Sequence, residues 1–127
     1  MKELTKAEEQ VMQALWKLGP TFVKDIVDQF DEPRPAYNTV STIVRILEKK
    51  GFVDHKAYGK THEYRPLVSR DDYKKKFVKS FLGRFFGNSF PEMVSFFAGG
   101  RDLSLEELEE IQTALQKQIR EQKESGR

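Results

Sequence analysis

Apolar residues recur at helical spacing over most of this chain and alternate in only one short stretch. Thr5 and Glu8 have the spacing of a capping box. Ala7, Val11, Leu15 and Leu18 then follow at steps of four, four and three until Gly19 and Pro20 end the pattern. This predicts an amphipathic helix of about four turns. Thr21 is placed to cap a shorter second helix with Val23, Ile26, Val27 and Phe30 on its apolar side, ending at Asp31 to Pro33. Pro35 suits the first turn of a third helix, because the amide hydrogen it lacks would be unpaired there. That helix runs to about Lys50, with Gly51 free to take the left-handed conformation that closes it. Val40, Ile43, Val44, Ile46 and Leu47 form its apolar side.

The period then changes. Phe52 to Lys56 read as extended, Tyr58 to Thr61 contain the turn residue Gly59, and His62 to Leu67 alternate as a returning strand, which together predict a β-hairpin. Beyond Pro66 the helical period resumes. Ser69, with Asp72 three residues on, starts a helix striped with Tyr73, Phe77, Phe81 and Phe85. A short helix follows around Phe90, Met93, Val94, Phe96 and Phe97. A last one opens on a second capping box at Ser104 and Glu107 and carries Leu105, Leu108, Ile111, Leu115 and Ile119.

Composition narrows the classes. The chain has 127 residues, 38% hydrophobic and 33% charged, with no cysteine, so it has neither a disulfide framework nor a thiolate metal site or nucleophile. No apolar run is long enough for a secretory signal or a membrane span, which predicts a cytoplasmic protein with no membrane insertion. The net charge of +2 conceals an uneven distribution. From Met1 to Glu32 four basic residues face seven acidic ones; from Pro33 to Arg65 seven basic residues face three acidic ones. The basic excess coincides with the third helix and the hairpin, as expected of an anion-binding face.

Three helices followed by a two-stranded hairpin is the arrangement of a winged helix-turn-helix, whose third helix enters the DNA major groove. The predicted fold is therefore mainly α: a winged helix-turn-helix over residues 1–68, then an all-helical dimerisation region over 69–127. Tyr37, Asn38, Thr39, Ser41, Thr42 and Arg45 form the polar side of the third helix and can donate to or accept from base edges. Lys49, Lys50, His55, Lys56 and Lys60 are placed to neutralise phosphates. Tyr73, Phe77, Phe81 and Phe85, with Leu105, Leu108, Ile111, Leu115 and Ile119, are the candidate dimerisation residues, since a Leu/Ile stripe only about 20 Å long is too little to form a core alone.

Three segments, LTKAEEQVMQALWKLGP, PAYNTVSTIVRILEKKGFV and HKAYGKTHEYRPLVS, closely resemble the penicillinase-repressor (BlaI/MecI/CopY) family of bacterial transcriptional repressors. The family's Thr-Val-x-Thr core, Arg-Leu and Lys-Gly are matched by Thr39, Val40, Thr42, Arg45, Ile46, Lys50 and Gly51. Its wing pattern Gly-Arg-x-Tyr-x-Tyr appears as Gly59, Lys60, His62 and Tyr64, with His62 where an aromatic residue is more usual. The resemblance implies a homodimer on a palindromic double-stranded DNA operator, with recognition helices about 34 Å apart or a multiple of that. It also implies control of β-lactam resistance genes and relief of repression when a membrane sensor protease cuts just before the last helix. The family's Asn-Phe cleavage pair aligns with Phe96 and Phe97, so Phe96, Phe97 and Ala98 are the candidate proteolytic segment although the Asn is not kept. The copper-responsive branch needs a cysteine-rich site, which this chain cannot build.

No catalytic constellation, cofactor motif or metal site is expected. His55 and His62 without a third ligand make a poor metal site. The rival reading is a helical, dimeric protein-interaction module that does not bind DNA. Salt dependence separates the two, because only phosphate neutralisation releases counterions.

Overall fold

The computed structural model describes residues 3–126 and divides into two compact units, Met1–Val78 and Lys79–Arg127. The first holds α1 (Lys6–Leu18), β1 (Thr21–Phe22), α2 (Val23–Asp28), α3 (Tyr37–Lys49), β2 (Val53–Tyr58), β3 (Thr61–Pro66) and the opening turns of α4 (Arg70–Phe85). The capping box at α1 is complete: Glu8 N donates to Thr5 Oγ1 and Thr5 N donates to Glu8 Oε1. The buried stripe of α1 is Glu8, Val11, Met12, Ala14 and Leu15. Ala7 and Leu18, assigned to that stripe from the sequence, are exposed. The helix turns inward along the Glu8–Val11–Met12–Leu15 line, which spacing alone does not separate from its neighbour.

Thr21 does not cap α2. With Phe22 it forms a strand antiparallel to β3, in register Thr21↔Tyr64 and Phe22↔Glu63, so the hairpin becomes a three-stranded sheet of order β1-β3-β2. The N-cap of α2 is Phe22, which has no side-chain cap bond. Similarly, α3 begins at Tyr37 after an extended Ala36, and Pro35 lies before the helix rather than in its first turn. At the far end Gly51 takes φ 86, and Phe52 N donates to Leu47 O, folding the chain directly into the wing. The wing pairs Val53↔Pro66 through Tyr58↔Thr61, leaving a two-residue loop with Gly59 at φ 62.

The core of this unit joins Val11, Met12 and Leu15 of α1, Ile26 of α2, and Val40, Val44 and Leu47 of α3 to Phe52, Val53, Tyr64 and Tyr73. Tyr73 belongs here, 8% exposed, with its ring 5.7 Å from Trp16 and 6.0 Å from Phe52. Trp16 Nε1 donates to Val68 O at 2.8 Å and Arg70 Nη2 to Gln13 Oε1 at 2.9 Å, so α4 starts anchored to α1. Packing accordingly divides the chain inside α4, after Val78, ten residues beyond the boundary between residues 68 and 69 expected from the sequence.

The second unit contains the end of α4, α5 (Phe90–Gly99) and α6 (Leu105–Glu124). Gly87 and Asn88, both at positive φ, make the turn into α5, which Ser89 caps; Ser104 and Glu107 form a complete capping box on α6. A chain of ring contacts runs Phe85, Phe81, Phe86, Phe96, Phe97. Neither α5 nor α6 has a buried residue.

Candidate nucleic-acid interface

With Val40, Val44 and Leu47 fully buried, α3 is fixed in rotation and its other side is turned outward. Tyr37, Asn38, Thr39, Thr42 and Arg45 are exposed and Ser41 is half-buried. Thr42 Oγ1 donates to Asn38 O at 2.9 Å, and Arg45 reaches Ser41 O and Thr42 Oγ1 at 3.4 and 3.3 Å. These side chains therefore form one hydrogen-bonding row along the helix, offering both donors and acceptors. Sequence reasoning missed Ile46. Assigned to the apolar side, it is 39% exposed and lies one turn beyond Thr42, on the polar row. Its position four residues after Thr42 was the available signal, and the apolar residue type masked it.

The five candidate phosphate ligands separate. Lys49, at the end of α3, and Lys56 and Lys60, on the wing, are exposed; the Lys56 ammonium lies 5.3 Å from the centre of the Tyr58 ring. Lys50 is a correction. Its Nζ donates to Glu8 Oε1 at 2.7 Å, with side chains only 22% and 7% exposed, so its charge is paired inside the domain. Burial pushes the Glu8 carboxyl up, but the Lys50 hydrogen bond and charge and the capping bonds of Thr5 hold it below the ordinary carboxylate range. His55 is also engaged, its Nδ1 2.6 Å from Glu48 Oε2, while its ring stacks on His62 with centroids 4.3 Å apart. Glu48 is the only carboxylate of α3, so the rest of that helix presents no negative charge to a polyanion. The basic residue Arg65 is turned to Asp54, whose carboxyl its hydrogen bonds hold below the usual range. Among the described residues no group of three or more His, Asp or Glu is placed to hold a metal ion.

The candidate dimerisation residues also separate. Phe77, Phe85, Leu105, Leu115 and Ile119 are exposed, and Phe81, Leu108 and Ile111 are half-buried. Tyr73, expected among them, is core instead, because Trp16 and Phe52 already cover it. On α5 and α6, Val94, Leu105, Leu108, Ile111, Leu115 and Ile119 line one open groove. Phe96, Phe97 and Ala98 occupy the last turns of α5, with Phe96 63% exposed. No helix among the described residues is long and apolar enough to cross a membrane.

A sequence profile of the penicillinase repressor family matches residues 4–117. The methicillin resistance regulatory protein MecI of Mammaliicoccus sciuri is 32% identical over 116 residues, 91% of this chain and 94% of that protein. The penicillinase repressor of Bacillus licheniformis is 28% identical over 123 residues, 96% of each chain. Among solved structures, the hsRosR-S4 complex shares the fold at a TM-score of 0.52 with 17% identity, over 80% of this chain and 91% of that one. The CopR repressor structure, 32% identical, aligns over 54% of this chain and all of its own length with a TM-score of 0.44. With the profile spanning both units, and with an outward polar helix beside a basic wing, this chain belongs to the penicillinase repressor (BlaI/MecI) family of DNA-binding transcriptional repressors.

Proposed function

We propose that the protein acts in the cytoplasm as a homodimer that represses β-lactam resistance genes by holding a palindromic operator, and that cleavage around Phe96, Phe97 and Ala98 by a membrane sensor protease releases it. The observation that carries the reading is the outward row of α3: Asn38, Ser41, Thr42 and Arg45, free of acidic neighbours until Glu48 and flanked by exposed Lys49, Lys56 and Lys60. In that arrangement Tyr37, Asn38, Thr39, Ser41 and Thr42 face base edges, Ile46 offers an apolar contact to a thymine methyl, and Arg45 reads a guanine or clamps a phosphate. The three lysines neutralise the backbone on either side.

Dimerisation is favoured by the apolar groove of α5 and α6, whose Leu105, Leu115 and Ile119 are 73%, 54% and 53% exposed. Covering those side chains with a second copy removes apolar surface from water at about 25 cal/mol per Å². Two-fold pairing then matches a palindrome.

The test is a selection from randomised duplexes with the purified full chain, followed by titration of the enriched duplex between 50 and 200 mM salt. An inverted repeat should emerge. With six to ten phosphates neutralised per dimer, affinity should fall by about three to five decades over that range. Retention of no duplex, or binding indifferent to salt, overturns the reading in favour of a protein-interaction module. Cleavage is tested by following the chain in β-lactam-treated cells; derepression with only intact protein overturns that part.

A further inference from the structure

We infer that Glu48 and His55 are positioning residues that tie the recognition helix to the wing and set His62 as a wing ligand for a DNA backbone phosphate. Glu48 sits in the last turn of α3, with a half-buried carboxylate that receives His55 Nδ1 of β2 at 2.6 Å. This bond bridges the two elements expected to flank the duplex, and it orients the His55 ring. His62 of β3 lies nearly parallel to that ring, with centroids 4.3 Å apart and an interplanar angle of 12°. Tyr64, 4% exposed, closes the other side, its ring 5.5 Å from His55 and 6.2 Å from His62. The order of support therefore runs from the buried Tyr64 and the anchored Glu48, through His55, to His62 at the surface.

Register explains why these groups meet. His55 faces Tyr64, and His62 pairs with Ala57, so His55, His62 and Tyr64 share one side of the hairpin and His62 reaches His55 diagonally. Neither ring nitrogen of His62 has a hydrogen-bond partner among the described residues, and the residue is exposed two positions after Lys60 at the wing tip. An imidazole always keeps at least one N–H to donate, and a phosphate oxygen accepts it. At this position the family's wing pattern has a Tyr, whose hydroxyl can also donate, so His62 keeps a donor on the wing and changes its kind. The tie through Glu48 and His55 makes the geometry of the wing contact depend on the recognition helix.

The inference rests on the DNA-binding reading, and one set of titrations tests the two separately. The probes are the duplex enriched from the randomised pool and a random-sequence duplex of equal length, titrated with the full chain. Wild-type binding to the enriched duplex tests the underlying reading whatever the variants do. Losing one hydrogen bond at each of two wings, at about threefold each, His62→Phe should weaken binding to both duplexes by about tenfold. Glu48→Ala should weaken binding comparably, while Glu48→Gln, which still accepts from His55 Nδ1, should retain most of the affinity. In a His62→Phe background Glu48→Ala should have little further effect. Thermal melting of each variant accompanies the titrations, and unchanged folding is read from an unchanged melting temperature. If Glu48→Ala weakens binding equally in both backgrounds, or Glu48→Gln behaves like Glu48→Ala, the positioning role is overturned. A His62→Phe loss confined to the enriched duplex overturns the phosphate assignment.

Discussion

Lys50 distinguishes the two ways of reading the basic block, and Lys50→Met isolates its contribution. The substitution keeps the length and apolar stem of the side chain and removes the ammonium that donates to Glu8 Oε1 at 2.7 Å. Glu8 is left 7% exposed, with Thr5 N as its remaining partner. Removing one member of a buried pair costs about 3–5 kcal/mol. Here Lys50 keeps 22% exposure and the capping bond survives, so the cost should be about 2 kcal/mol, in the range of one charge-assisted hydrogen bond. For a domain of this size that lowers the melting temperature by about 8–16 °C.

Acid should erase the difference. Because the native Glu8 carboxyl titrates below its unfolded value, its contribution is complete above the unfolded value, about 4.3, and is lost as pH falls through the lowered native one. Urea unfolding of wild type and variant should therefore differ at pH 7, and the difference should shrink as the pH falls below the unfolded value and through the lowered native one. DNA binding supplies the second arm. If Lys50 instead neutralised a phosphate in each protomer, the variant's slope of log affinity against log salt would be shallower by about 1.8. An unchanged melting temperature together with that shallower slope would refute the internal pairing.

Tyr73→Ala should destabilise the winged domain by about 3–5 kcal/mol in urea unfolding, since it removes a core ring in contact with Trp16 and Phe52, whereas Phe85→Ser, 65% exposed, should leave that transition in place. Trp16→Phe should cost about 1 kcal/mol beyond any change in packing by removing the Nε1–H donor to Val68 O, read from the same transition. Leu115→Glu with Ile119→Glu should place charges in the α5 and α6 groove and shift the chain to monomer in analytical ultracentrifugation, with operator affinity falling in step. Asn38→Ala should relax preference at particular base pairs in the selected duplexes, whereas Lys60→Ala should weaken every duplex alike.

The order of elements was legible from sequence because its signals are local. The Thr5–Glu8 and Ser104–Glu107 boxes, Gly51 after α3, and Gly59 between two alternating runs each carry their meaning within four or five residues. The outward row of α3 was legible for the same reason, since Asn38, Ser41, Thr42 and Arg45 follow the helical period and no competing carboxylate interrupts them. Local signals failed where a distant segment supplied the partner. Thr21 has the chemistry of a cap, but β3 takes its backbone as a strand.

The amino-acid sequence by itself determined the winged-helix order, the basic character of its third helix and hairpin, and the family. Tertiary structure decided which of several equivalent residues serve which surface. Lys49 and Lys50 are adjacent and chemically alike, yet only a contact across 42 positions turns one inward to Glu8. Tyr73 and Phe77 share a stripe, yet Trp16 and Phe52 cover the first while the second stays 44% exposed. Ile46 is apolar yet turned outward, because Val40, Val44 and Leu47 fix the rotation of α3. The reason is that a helical repeat specifies a face but not what packs on it. That choice is made by residues far along the chain, brought close only when the core closes.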